Sequence, residues 1–139
     1  MSDTPKLIVL RTHPEHLRGV VEKHKHALEV RLNAQQGDIL LIAQTGSGLV
    51  SHAMRFRSQR PDTTGETERS WGRHWNFIIE GDNCCELDRP FDPREERVTE
   101  VVRKDYGPGG PFFYVLDEDA EAFRQKGLLQ PLLPPLGPN

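Results

Sequence analysis

Short apolar segments bounded by turn residues constrain the fold of this chain more than any other feature. The clearest is Ile-Leu-Leu-Ile-Ala at 39–43, which follows Gly37-Asp38 and precedes the glycine-rich stretch Thr45-Gly-Ser-Gly48. A short continuous apolar run between turn residues is typical of a buried strand. Glycine supplies the backbone angles that such turns need. The sequence therefore predicts a sheet with a buried strand at 39–43.

Further strands are predicted on both sides of this segment. Residues 6–10 form a second compact apolar run, and residues 49–57 alternate between apolar and polar side chains, as a strand with two different faces does. On the apolar face of 49–57 we expect Val50, His52, Met54 and Phe56. Shorter strands are predicted at 28–32, 75–79, 84–87 and 112–116. The turn at 80–83 is expected to join two of these as a hairpin, and 98–102 fits either a strand or a helix.

Two helices are predicted from capping signals. Thr12 and Glu15 have the spacing of a capping box, so a helix is expected to begin there and to end within the polar residues 23–26. Asp117 is predicted to cap a second helix that ends at Gly127. The chain thus mixes helices with a sheet.

Length and composition indicate one domain. A chain of 139 residues can bury a single core, which we expect to span 1–127, with a proline-rich tail at 128–139 outside it. The net charge of −3 gives no overall attraction to a polyanion, so any contact with nucleic acid is expected to be local. The chain has no signal-peptide pattern and no apolar run of about 18 residues, so no membrane partner is expected.

The cysteines and histidines point to no metal or disulfide chemistry. Cys84 and Cys85 are adjacent, and an ordinary structural disulfide between them is disfavoured, so we expect a reducing, cytoplasmic environment. The six histidines lack the spacing of helical or knuckle metal sites. We therefore expect solvated histidines, no metal site and no cofactor, with His52 an exception at the core or at a cleft edge.

The charged segment Lys25-His-Ala-Leu-Glu29-Val-Arg31 leads through the Gly37-Asp38 turn into the strand at 39–43. This order of pieces resembles the PUA-like group of small β-barrels, specifically its ASCH and EVE branches, over roughly residues 6–116. The resemblance implies a mixed α/β (α+β) fold, a barrel of about five to seven strands flanked by two or three helices. Those families handle RNA or modified nucleic-acid bases, so it also implies a nucleic-acid partner, DNA or RNA.

The same resemblance assigns roles to the charged segment. In ASCH domains the corresponding Lys and Glu line a cleft, and Lys25 and Glu29 match them, while the neighbouring Arg31 could bind a phosphate or a base edge. A plain surface ion-pair strip is the alternative. The amidohydrolase members carry a nucleophilic threonine after the lysine, but this chain has Leu28 there. We therefore expect binding without catalysis.

Trp71 and Trp75 follow a polar stretch, 58–70, that is predicted to be a long loop. Aromatic rings at a loop edge can stack on an unpaired base. Trp71, between Ser70 and Gly72, is the predicted platform, whereas Trp75 fits either a second wall or the core.

The resulting hypothesis is a module that recognises a base, modified in our expectation, in DNA or RNA. Base-edge contacts are expected from Glu29, Thr45, Ser47 and Asn83, and phosphate contacts from Arg31, Arg55, Arg57 and Arg73. One alternative is a small hydrolase acting on a modified nucleoside or RNA, with Lys25 and Glu29 as acid–base residues. Another is a protein-interaction module without a basic strip or an accessible aromatic ring.

Overall fold

The computed structural model describes residues 5–99 and 110–133. Its strands are β1 Leu7–Thr12, β2 Lys25–Leu28, β3 Ile39–Gln44, β4 Val50–Pro61, β5 Phe77–Phe91 and β6 Phe112–Tyr114. Its helices are α1 Pro14–Lys23, α2 Glu66–Trp71, α3 Pro93–Glu96 and α4 Asp117–Gln125. None of these helices is long and apolar enough to cross a membrane.

The six strands form one curled sheet, a half-barrel in the order β2-β5-β4-β3-β1-β6. β1 and β3 run parallel, and every other neighbouring pair is antiparallel. The predicted class, a mixed α+β fold with a sheet of five to seven strands, is confirmed. The described residues contain four helices, whereas two or three were predicted. One of the four, α3, is a single turn.

The strands β1 and β3 are buried on both faces of the sheet, which explains their continuous apolar runs. Leu7 and Val9 of β1 pack into a core beneath α4, whereas Ile8 and Leu10 pack into a second core beneath α1. β3 alternates in the same way. The strand at 39–43 is therefore confirmed as buried.

The predicted apolar face of β4 is wrong, because the strand changes its register within its first residues. Val50 lies in the core beneath α4, but Met54 and Phe56 lie in the other core. The pairing of β4 with β5 shifts between Val50 and His52, and a bulge of this kind exchanges the two faces of a strand.

The predicted hairpin at 75–87 is also wrong, since β5 is one strand of 15 residues. Gly81, which resembles a turn glycine in the sequence, is buried in the middle of β5. A Cβ atom there would lie 2.7 Å from Met54 Sδ and 2.9 Å from the Arg55 carbonyl oxygen. Glycine is needed here for close packing between β4 and β5.

The polar stretch 58–70 was predicted to be a long loop, and this prediction is wrong. Most of the stretch belongs to the end of β4 and to α2, with a short connection between them. Asp62 organises the start of α2, because its carboxylate accepts the backbone N–H groups of four residues. These residues are Thr64, Gly65, Glu66 and Thr67. The Thr67 hydroxyl, at 2.6 Å, and these N–H groups hold the pKa of Asp62 well below its usual range.

Two predicted caps are replaced by other groups. His13 caps α1 without a side-chain hydrogen bond, and the hydroxyl of Thr12 is used elsewhere. Leu116, not Asp117, precedes α4. The end of α1 at Lys23 agrees with the prediction.

The strand predicted at 28–32 lies instead at Lys25–Leu28. Beyond it, Val30 is exposed and Leu32 is buried. The side-chain amide of Gln59 accepts the Leu32 N–H and donates to the Leu32 carbonyl, so it replaces a strand partner there. Of the undecided stretch 98–102, residues 98–99 are neither strand nor helix, and 100–102 lie outside the described residues.

The chain beyond Gly127 is not a detached tail, which corrects the predicted boundary. Leu128, Leu129 and Leu133 are buried in the core beneath α4. Gly127 has a φ of 73°, and this left-handed turn directs the chain back onto the sheet after α4. Residues 134–139, the rest of the predicted tail, lie outside the described residues.

Candidate functional site

A cavity of about 380 Å³ opens where the end of β1, the start of α1, β2 and the segment after α2 meet. Its volume falls in the range of about 300–1,000 Å³ that is usual for small-molecule sites. The residues that line it are Arg11, Thr12, His13, His16, His26, Ala27, Trp71, Arg73, Trp75 and Pro111. We call it the tryptophan cavity. Of the predicted site residues, it brings together Trp71, Trp75 and Arg73.

The two tryptophans are held by the end of α2. Trp71 is the last residue of this helix, which ends at Gly72 with a φ of 82°. Trp75 is fixed through its backbone N–H, which donates to the Thr67 hydroxyl at 2.8 Å. Because Thr67 is buried and bonded to Asp62, both rings are attached to a rigid anchor. Each ring is half-buried.

Arg73 covers part of this aromatic surface. Its guanidinium carbon lies 3.5 Å from the centroid of the Trp75 ring, a close cation–π contact. Its Nη2 also forms an ion pair of 2.9 Å with Glu29. One face of Trp75 is thus occupied by Arg73, which makes Trp71 the more available stacking surface.

The polar wall of the cavity is a pair that sequence reasoning missed. His26 is 7% exposed, so the prediction of a solvated histidine is wrong at this position. Its Nε2 lies 2.9 Å from the Thr12 hydroxyl, and its Nδ1 lies 3.1 Å from the Ala27 carbonyl. With the proton on Nδ1, the neutral ring donates to the Ala27 carbonyl and its Nε2 accepts from the Thr12 hydroxyl. Burial lowers the pKa of His26 to about 4, which keeps the ring neutral near pH 7.

Lys25 belongs to an ionic network next to the cavity rather than to its lining. Its Nζ lies 2.8 Å from Glu66 and 3.9 Å from Glu80. Arg60 contacts the same two carboxylates, at 2.8 and 3.6 Å. Arg57 also contacts Glu80, at 3.6 Å, and Asp82. The predicted ligand contacts Lys25 and Arg57 are therefore occupied within the protein.

The other predicted contacts are dispersed. Arg31 is exposed and lies over the Phe77 ring, and the Arg55 guanidinium approaches the carbonyl of Gly37 at 3.4 Å. Ser47 accepts the N–H of Leu49 through its hydroxyl. The structure does not bring the following predicted residues to the tryptophan cavity: Lys25, Glu29, Arg31, Thr45, Ser47, Arg55, Arg57 and Asn83. Glu29 reaches it only through Arg73.

Within the described residues, no group of three or more His, Cys, Asp or Glu side chains is placed to hold a metal ion. The side chains that line the tryptophan cavity offer stacking on two indole rings, hydrogen bonding by the Thr12 hydroxyl and by the imidazoles of His26, His13 and His16, and the charge of two guanidinium groups.

The sequence matches no family model and no curated protein. Among solved structures, the chain is similar to ASCH from Zymomonas mobilis, with a TM-score of 0.62 and 11% identity over 85% of this chain and 93% of that one. It is similar to protein Atu2648 from Agrobacterium tumefaciens, with a TM-score of 0.58 and 15% identity over 96% and 99%.

A third similar structure is the YTH domain of the MRB1 protein from Zygosaccharomyces rouxii, in complex with N6-methyladenosine RNA. Its TM-score is 0.61, with 14% identity over 87% of this chain and 85% of that one. At such identities the likeness establishes the fold. The chain shares the fold of these ASCH and YTH structures, which confirms the PUA-like fold predicted from its sequence.

Proposed function

We propose that this protein binds single-stranded RNA by taking one base, preferably a methylated one, into the tryptophan cavity, without chemical turnover. The observation that carries the proposal is the cavity itself: two half-buried indole rings flank an opening whose inner wall is a buried, neutral polar pair. The shared fold of a YTH domain in complex with N6-methyladenosine RNA supports RNA as the first ligand to test.

Stacking supplies the main attraction. A base on an aromatic side chain contributes about 1–3 kcal/mol, and Trp71 offers such a surface at the end of α2. A methyl group on the base adds apolar area, which the indole rings, Ala27 and Pro111 can cover. Arg73 is placed to contact a flanking phosphate from the rim.

The Thr12–His26 pair supports selection among bases. Thr12 and His26 are the most buried polar residues of the cavity lining, and both can exchange their mutual hydrogen bond for one to a base edge. A base that leaves them unpaired would be disfavoured, since an unsatisfied buried polar group costs about 1–3 kcal/mol.

Recognition is favoured over hydrolysis by the positions of the two acid–base candidates. Lys25 is paired with Glu66 and Glu80, whereas Glu29 is paired with Arg73. The two residues therefore do not form a pair with each other, and neither lines the cavity. Together with Leu28 at the position of the nucleophilic threonine, this supports binding as the function.

The test is a titration of short fluorescent single strands at low salt. The set contains one RNA with a central adenosine, the same RNA with N6-methyladenosine, and the DNA counterpart. We expect the methylated RNA to bind most tightly and to quench tryptophan fluorescence, with a log–log salt slope of about −0.7 for each phosphate contact.

Failure of every strand to bind would remove the proposal, and tighter binding of the DNA would replace RNA by DNA. Turnover is checked by mass spectrometry after incubation with acylated and methylated nucleosides, which we expect to be recovered unchanged. A product that forms with the natural chain and not with Lys25→Ala would establish the hydrolase instead.

A further inference from the structure

A second cavity, of about 250 Å³, lies on the other face of the sheet at the same end of β1. Its lining comes from the ends of β1 and β3, from Phe113 of β6, from the glycine-rich turn, and from α3 with the residue before it. Arg11 lines both cavities. We call this one the arginine cavity. It has no part in the proposed base contact.

Two guanidinium groups share the arginine cavity. Burial, together with the positive charge of Arg94, lowers the pKa of Arg11, so the two groups are close enough to repel each other. Asp92 contributes a carboxylate to the lining, and Arg94 contacts it at 3.3 Å. Among the described residues of the lining, the charged side chains are Arg11, Arg94 and Asp92.

The side chain of Arg94 is seated on the glycine-rich turn. Gly48 has a φ of 75°, and a Cβ atom there would lie only 2.7 Å from Arg94 Nη2. The guanidinium thus rests directly on backbone that carries no side chain. The contacts to Asp92 use Nε and Nη2. Arg11 is held from the other side, where its Nη1 donates to the Gly110 carbonyl at 2.6 Å.

We propose that the arginine cavity binds a phosphate group between Arg11 and Arg94. An anion there would relieve the repulsion of the two guanidinium groups, which suit phosphate through planar, paired N–H donors. Because Arg11 borders both cavities, the expected source is a backbone phosphodiester of the RNA whose base enters the tryptophan cavity, and in that respect the inference rests on the proposed function. A free phosphate monoester has the same chemistry.

The experiment follows the arginine Nε–H and backbone N–H signals of the full chain by NMR. Inorganic phosphate is added at constant ionic strength, with chloride in the reference titration. We expect saturable shifts at Arg11, Arg94 and the turn 45–48. Arg94→Gln is expected to weaken this binding about tenfold or more, whereas Arg89→Gln, an equal change of charge at an exposed position, leaves it unchanged.

Asp92→Asn provides a change of opposite sign. Asparagine still caps the short helix α3, but it removes the competing carboxylate, so we expect several-fold tighter phosphate binding. Shifts that do not saturate, that chloride reproduces, or that persist in Arg94→Gln would overturn the proposal.

A short RNA then identifies the source. If Arg94→Gln weakens binding of the RNA as well as of phosphate, the group is the RNA backbone; if it weakens phosphate alone, the group is a free monoester, and both results support the phosphate site. Phosphate binding without any RNA binding would remove the proposed function and keep this site. RNA binding that does not respond to Arg94→Gln, together with the absence of saturable phosphate shifts, would support the proposed function and contradict the phosphate site.

Discussion

Lys25 and His26 are neighbours on β2, yet they belong to two different electrostatic environments. Lys25 enters a network of two carboxylates and further arginines, in which every charge has an opposite charge nearby. His26 is deeply buried, neutral and bonded to a hydroxyl at the wall of an open cavity. Successive residues of a strand point to opposite faces, so a single step along the chain separates the two.

The difference shows which polar groups remain available to a ligand. The charges around Lys25 already satisfy one another, and a ligand would have to break ion pairs to reach them. The Thr12–His26 pair borders empty volume and can exchange one hydrogen bond for another. The charged motif is the conspicuous feature of the sequence, but the uncharged pair faces the space where a ligand fits.

The largest expected effect concerns His26 and acid. Its pKa is about 4 in the folded chain against 6.5 as the ordinary value, so the unfolded chain binds the proton first as the pH falls. The part of the unfolding free energy that depends on neutral His26 is fully present above about pH 6.5 and is lost as the pH falls toward 4. The loss is about 3 kcal/mol of unfolding free energy.

Urea unfolding at pH 7 and pH 4 measures this loss. His26→Gln should be less sensitive to acid than the natural chain by about that amount, whereas Lys25→Gln should change the acid sensitivity much less, through the pKa of Glu66 that Lys25 helps to lower. Equal acid sensitivity in all three chains would show that His26 has the same pKa in the folded and the unfolded chain, and the contrast between the two neighbours would then disappear.

The next largest effect is expected at Trp71. Trp71→Ala should weaken RNA binding by about 1–3 kcal/mol, because one stacking surface is lost. The half-buried ring should cost less folding stability than the roughly 3–5 kcal/mol of a core tryptophan. Affinity and melting temperature of the same variant decide this. A large loss of stability would identify Trp71 as a core residue and leave Trp75 as the platform.

Much of the sheet could be predicted from the sequence because β1 and β3 are buried on both faces, and continuous apolar runs indicate that burial directly. The strand β5 could not be predicted in this way. Its central residues Glu80 to Asn83 are mostly polar, and Gly81 is typical of a turn, although it serves the packing against Met54. The sequence does not distinguish a glycine that is needed for packing against a neighbouring strand from one that is needed for its own backbone conformation.

The candidate site was predictable in its aromatic part and in Arg73, but not in its buried polar pair. Trp71 and Trp75 stand out in the sequence, and the structure places both at one cavity. His26 lies in a run of polar residues and has no local signal of burial, since its partner Thr12 comes from another strand. The available indication was its position next to Lys25 on β2, because neighbouring residues of a strand point to opposite faces. Contacts between distant segments decide which polar residue faces inward.

A smaller effect is expected from the ionic network. Glu66→Gln removes the carboxylate that accepts from both Lys25 and Arg60, each at 2.8 Å. We expect a loss of about 1–2 kcal/mol of unfolding free energy, because these half-buried pairs exceed ordinary surface pairs. RNA affinity should stay the same within about twofold, since Lys25 does not line the cavity. A marked loss of affinity with little change in stability would assign Lys25 to the ligand after all.

The smallest effect, Glu29→Gln, tests the boundary between the two environments. Glu29 pairs with Arg73 at the rim, where both side chains are about half exposed, so stability should change by less than about 1 kcal/mol. If Arg73 serves a phosphate, its release should strengthen RNA binding slightly and steepen the salt slope by up to about 0.7. If Glu29 instead contacts a base edge, as its sequence context predicts, the same change weakens binding.

Glu118→Gln, an equal change of charge on α4, controls for the general effect of a lost negative charge. The sign of the difference between these two variants therefore determines whether Glu29 restrains Arg73 or recognises the base.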